Sequence, residues 1–197
     1  MTDPSKSTLD VYDEKASSYA DLVGDTEDPA FDAFVAEIPA GGYVLDLGCG
    51  PGHTAALLAL AGFRVLATDG SAEMVKLAGE HEGVEARQAM FDDITGDNIF
   101  DGIWASFSLL HAPKTDFPGH LSALHKAAKP GARLHLGMKL GTGEGPDSIG
   151  RFYAYYTQDE LYDLLREAGF TPLSHLTGEA VSLSGSNDPR ITIAAHA

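Results

Sequence analysis

Positive charge is scarce in this sequence: 13 Lys and Arg stand against 29 Asp and Glu, a formal net charge of −16. Gripping a phosphate backbone needs a cationic surface, so nucleic acid is excluded as the main partner. Docking onto anionic lipid is excluded for the same reason. Cysteine is nearly absent. Cys49 stands alone, which rules out an internal disulfide and suits a reducing compartment. No apolar run approaches the roughly 20 residues that cross a membrane. Residues 1–10 are polar and lack the apolar stretch of a secretion signal. Repeats, low-complexity tracts and long linkers are missing too. A cytoplasmic globular chain is therefore expected, with small-molecule partners, no metal site, and one domain spanning residues 1–197.

What the sequence does contain is an alternation of short apolar runs with helical periods, the pattern of an α/β fold. Residues 43–47 are apolar between Gly42 and Gly48 and read as a buried strand. A helix follows over 53–61, stopped by Gly62. Strands are expected at 64–68, 84–89, 100–105 and 133–138, with helices between them. Ser71 is placed to cap the helix that carries Met74, Val75 and Ala78. Phe117, Leu121, Leu124 and Ala128 share one helical face, and Pro130-Gly131 is expected to end that helix. Residues 137–150 are glycine-rich and read as a long loop. Thr157 opens a helix with a capping box to Glu160. Runs at 171–177 and 190–195 have no room for a crossover helix between them, so they should pair as an antiparallel hairpin. Helices at 12–22 and 31–38 complete an N-terminal helical cap, residues 1–38.

The densest chemical signal is Val44-Leu-Asp-Leu-Gly-Cys-Gly-Pro-Gly52. A strand runs into a glycine turn and then a helix N-terminus. Glycines let the backbone approach a ligand closely, and the helix end offers free N–H groups. Asp69, at the end of the second strand, stands where a carboxylate can accept from both ribose hydroxyls of a nucleoside. Position 53 is His, so the dinucleotide spacing G-x-G-x-x-G is not met. Asp46 is carried by the strand itself, and a buried carboxylate is costly unless it meets a cation or several donors.

Asp46-x-Gly48-x-Gly50-x-Gly52, Asp69 and the C-terminal hairpin together resemble the class I S-adenosylmethionine-dependent methyltransferases. The resemblance covers nearly the whole chain. It implies a Rossmann-like, doubly wound, mostly parallel seven-stranded sheet with helices on both faces. It also implies S-adenosyl-L-methionine as cofactor and methyl transfer to a small-molecule acceptor. Cofactor contacts are implied at Asp46, Gly48, Cys49, Gly50 and Gly52 in the first turn. Asp69, Gly70, Ser71 and Met74 follow on the second. Phe91 and Asp92 stand where the family reads the adenine amine, with Met90 at the position where an acid is usual. Ser106 lies in the 105–111 segment that resembles the family's methyl-facing stretch, and His111 is the one candidate for a general base.

For the acceptor side, Tyr12, Tyr19, His111, Arg151 and Tyr153 are the expected residues. Tyr12 and Tyr19 are seven apart on one helix face and are either a lid or core. His111 is either an acceptor-side group or an ordinary loop histidine, and Tyr153 either wall or packing. A cofactor-binding protein without turnover, and an NAD-dependent oxidoreductase, are the rival readings. The first keeps every cofactor residue; the second is opposed by His53 and the hairpin.

Overall fold

Alternation along the strands sorts side chains onto two faces of one sheet. In β1, Tyr43–Leu47, Val44 joins Phe34, Leu58, Val65 and Trp104 on one side, while Leu45 joins Ile103, Leu121, Leu134 and Leu165 on the other. Burying each such leucine contributes about 1.5–3 kcal/mol, so a sheet covered on both sides is the stable outcome. The computed structural model describes residues 4–23, 29–181 and 183–197. Residues 1–3 and 24–28 of the expected N-terminal cap lie outside them.

The chain order is α1 (Pro4–Val23), α2 (Phe31–Ala36), β1, α3 (His53–Leu60), β2 (Arg64–Asp69), α4 (Ala72–Ala78) and β3 (Val84–Gln88). It continues with β4 (Phe100–Ser106), α5 (Phe117–Ala127), β5 (Ala128–Lys139), β6 (Glu144–Pro146) and β7 (Phe152–Ala154). Last come α6 (Gln158–Glu167), β8 (Thr171–Val181) and β9 (Asn187–His196). Among the described residues the large sheet runs β3-β2-β1-β4-β5-β9-β8. The first five strands are parallel, and β9 enters antiparallel between β5 and β8. This is the doubly wound, seven-stranded arrangement expected from the sequence. The strand order reverses between β1 and β4, so the ends of β1, β2 and β4 open a crevice for a ligand.

Two expectations about 128–150 need correction. Pro130-Gly131 does not separate α5 from its strand: α5 ends at Ala127 and β5 runs straight through both residues. Pro130 lacks an N–H, but Gly131 takes a left-handed φ of 80° and donates to the carbonyl of Ala197 at 2.7 Å, so the chain stays tied to the sheet. Residues 137–150 are not one loop. β5 continues to Lys139, and β6 then pairs antiparallel with β7 as a second, small sheet. The first helix also starts earlier than expected, at Pro4, where a proline costs no hydrogen bond. The two caps read from sequence form as expected: the Ser71 Oγ accepts from the Met74 N–H, and Thr157 and Glu160 bond reciprocally.

Candidate active site

At the end of β1 the chain turns through Gly48, Gly50 and Gly52, all with positive φ. The Gly48 and Cys49 N–H groups donate to the Thr68 carbonyl, and the Gly50 N–H donates to the Asp69 carboxylate at 2.9 Å. The turn is thereby fastened to the end of β2. A side chain at Gly52 would bring its Cβ to 2.7 Å from the Ala78 backbone, so this glycine serves the approach of α3 to α4. Gly52→Ala is expected to lower stability by about 1–3 kcal/mol through overpacking and left-handed strain, with a matching fall in the thermal midpoint.

Asp69 accepts at both oxygens, from Gly50 and from the Ser71 N–H at 2.9 Å. A carboxylate has about four acceptor sites, so two stay open toward the crevice. Burial pushes the Asp69 carboxyl above its ordinary range, opposed by those N–H donors.

Asp46 is 3% exposed, and its Oδ2 has no partner among the described residues. Burial and the charge of Asp69 push its carboxyl up to about 7, against a hydrogen bond from the Ala55 N–H. A buried, half-satisfied carboxylate beside a glycine turn suits a cationic group, which is the amino end of the cofactor that the resemblance implies. The folded protein holds this proton more tightly than the unfolded chain does. The contribution of Asp46 to stability therefore falls as pH rises from about 4 to about 7. Asp46→Asn removes that titration. The variant is expected to melt higher than wild type at pH 8 and alongside it at pH 4. Equal midpoints at both pH values would deny the buried charge.

The strand ends and α1 enclose a cavity of about 410 Å³, in the range of small-ligand sites. Gly48, Gly50, Asp69, Gly70 and Met74 form one side. Phe91 and Asp92 stand on the next, in a short 3-10 turn after β3. Here Asp93 is spent holding the Met90 N–H, whereas the Asp92 carboxylate faces the mouth, 3.4 Å from the His120 ring. Ser106, Phe107 and Ser108 close the cavity from the end of β4. Phe107 has a φ of 55°, a strained value for a side-chain-bearing residue of the kind that collects at functional sites. Gly137 makes room for it: a Cβ there would lie 2.9 Å from the Phe107 nitrogen.

Tyr12 and Tyr19 both face the cavity from α1, with ring centroids 5.3 Å apart. The Tyr12 hydroxyl lies 2.9 Å from His111 Nε2, and His111 Nδ1 lies 2.6 Å from the Phe152 carbonyl. A carbonyl only accepts, so Nδ1 carries the proton and Nε2 accepts from Tyr12. Burial pushes the His111 ring down to about 4, with Arg151 and Lys139 adding to the shift, so the imidazole is neutral. His111 thus lines the cavity with both ring nitrogens bonded.

Six expected residues do not line the cavity. Asp46, Cys49, Gly52 and Ser71 are not among its wall residues. Burial raises the Cys49 thiol well above its usual range, so it is an inert packed residue. Arg151 and Tyr153, expected at the acceptor, sit behind Tyr12. Arg151 is 2% exposed and clamps Asp147 through Nε at 3.0 Å and Nη2 at 2.8 Å. Its Nη1 donates to the Tyr12 hydroxyl at 3.3 Å. A buried guanidinium needs such a partner, and Asp147 lies only four residues away across the tight turn between β6 and β7. Tyr153 is buried under Lys139, whose ammonium lies 3.9 Å from the ring centroid. Sequence reasoning missed Thr8, Leu9, Asp116 and His120, which also line the cavity. None carries a local motif.

Residues 25–175 match the family model described as a methyltransferase domain. The chain is similar to the O-methyltransferase cnsE of Penicillium expansum, at 31% identity, over 82% of this chain and 71% of that protein. It is similar to the cypemycin N-terminal methyltransferase of a Streptomyces species, at 39% identity, but over 54% of this chain and 44% of that one. In fold it resembles the 1,6-didemethyltoxoflavin-N1-methyltransferase of Burkholderia thailandensis, solved with bound 1,6-didemethyltoxoflavin and S-adenosylhomocysteine. That likeness has a TM-score of 0.79 and 23% identity, and covers all of this chain and 91% of the other. No helix among the described residues is long and apolar enough to cross a membrane.

Proposed function

Because the chain belongs to the S-adenosylmethionine-dependent methyltransferases, we propose that it methylates a small molecule in the cavity between α1 and the strand ends. The observation that carries this reading is the cavity itself: it is small, walled by aromatic rings, and bounded by both Asp69 and the glycine turn. One relative is named an O-methyltransferase and another an N-terminal methyltransferase, so an O–H or N–H acceptor fits both. A reducing cytoplasm suits the single cysteine, and the acidic surface disfavours nucleic acid. The domain reading stays as the sequence suggests, one unit with α1 and α2 as its cap.

When bound, the cofactor supplies an activated methyl group on a sulfonium, so the protein's task is binding and orientation. Asp69 would hold the ribose hydroxyls, and Asp46 would neutralise the amino end from behind Gly48. Met74, Phe91 and Asp92 would flank the base. Gly50 keeps its Cα bare beside Tyr19, where a Cβ would lie 3.5 Å from the ring. On the acceptor side, the Tyr12 hydroxyl takes the acceptor's proton as it passes its own to His111 Nε2. The Phe152 carbonyl holds the resulting imidazolium through Nδ1–H. Arg151 is a positioning residue that fixes the Tyr12 hydroxyl. The test is a panel of small phenols, catechols, amines and N-heterocycles incubated with methyl-labelled cofactor. Label should appear on at least one of them. Label appearing only on RNA, DNA or protein would overturn the small-molecule reading.

A further inference from the structure

The charge on the cavity wall narrows the acceptor further. No Lys or Arg lines the cavity among its described wall residues, whereas Asp69, Asp92 and Asp116 all do. The two wall histidines offer no replacement cation: burial lowers the basicity of both His111 and His120. The cations nearest the aromatic end are already committed. Arg151 is clamped to Asp147, and Lys139 to Asp188 at 2.7 Å. Lys114 stands by Glu160 and over the Tyr156 ring. An anion entering here would lose its hydration and gain no counter-charge from the protein wall, a costly exchange. It would also pass Asp92 and Asp116, exposed at the mouth of a chain carrying −16 overall.

A buried hydroxyl of the wall is unspent. Ser108 is 6% exposed, lines the cavity, and its Oγ has no partner among the described residues. It lies against the glycine turn, with a Cβ at Gly48 meeting Ser108 Cβ. A hydroxyl that both donates and accepts suits a neutral O–H or N–H. We propose that the acceptor is an uncharged or cationic molecule with no anionic group, whose polar end reaches the Ser108 hydroxyl. This rests on the cavity being the cofactor and acceptor site. The wall also agrees with the cofactor's own charge, since ammonium, sulfonium and carboxylate sum to +1 before transfer and to zero after the sulfonium becomes a thioether.

Protein saturated with S-adenosylhomocysteine should be screened by saturation-transfer NMR against fragments divided equally among anions, neutrals and cations. Saturation is first checked by calorimetry on the same sample. Neutral and cationic binders should outnumber anionic ones by about tenfold, the scale of discrimination that like charges impose. That bias should shrink in 1 M salt, where the screening length falls to about 3 Å. The variant Asp116→Lys should recruit anions while still binding S-adenosylhomocysteine. Anions recovered as often as the rest from the wild type, a bias indifferent to both salt and this variant, or no binder at all would each overturn the proposal. No heat with S-adenosylhomocysteine would instead refute the site reading, and this inference with it.

Discussion

His111→Gln is expected to slow methyl transfer by about 10²- to 10⁴-fold, the usual scale for a removed acid–base group, while S-adenosylhomocysteine affinity stays within about threefold. Glutamine keeps a similar reach but cannot take up a proton. The pH profile adds a second signature. Because burial holds the His111 ring down to about 4, the neutral base is present at every pH above that value. With cofactor saturating, so that Asp46 stays charged against its amino group, the acid limb of the wild-type profile should lie near pH 4, not near the ordinary histidine value of about 6.5. Tyr12→Phe removes the hydroxyl that donates to Nε2 and should produce a loss of the same order. A limb at 6.5, or a His111→Gln rate near wild type, would show that the acceptor sheds its proton without this pair.

Asp69→Ala is expected to weaken S-adenosylhomocysteine by roughly ten- to a hundredfold. Charged hydrogen bonds contribute about 1.5–3 kcal/mol, and about 1.4 kcal/mol is a decade of affinity. The carboxylate also pins the Gly50 and Ser71 amides, so part of any loss could come from a slackened turn. Asp69→Asn keeps one of the two anchors, since its single carbonyl oxygen can accept from one backbone N–H. If Asn restores the melting temperature but not the affinity, the ribose contact is the cause. An Asp69→Ala effect below threefold would leave Asp69 as a turn residue only.

The parts of the site that could be read in the sequence are local. Asp46 to Gly52 announces itself because a strand, a tight turn and a helix N-terminus each demand particular residues at fixed spacing. The Ser71 and Thr157 caps follow for the same reason, and the β8–β9 pairing from the lack of room for a crossover. The Tyr12–Tyr19 stripe was visible as helical spacing, but not its purpose. Tyr12 meets His111 across 99 residues and Arg151 across 139, and no local pattern encodes such pairings. The β6–β7 hairpin escaped because its strands are three residues each, too short for a period of two, amid glycines that read as loop. Arg151 looked like a substrate residue because a lone arginine among tyrosines does not disclose that Asp147 has claimed it. The strained φ of Phe107 is likewise set by its neighbours, through Gly137 and the carbonyl it offers.

The most direct check on the central claim is a calorimetric titration of the wild-type protein with S-adenosylhomocysteine, run beside an identical titration with NAD. The expected result is saturable S-adenosylhomocysteine binding at a single site per chain and no heat from NAD. Binding of NAD without binding of S-adenosylhomocysteine would contradict it.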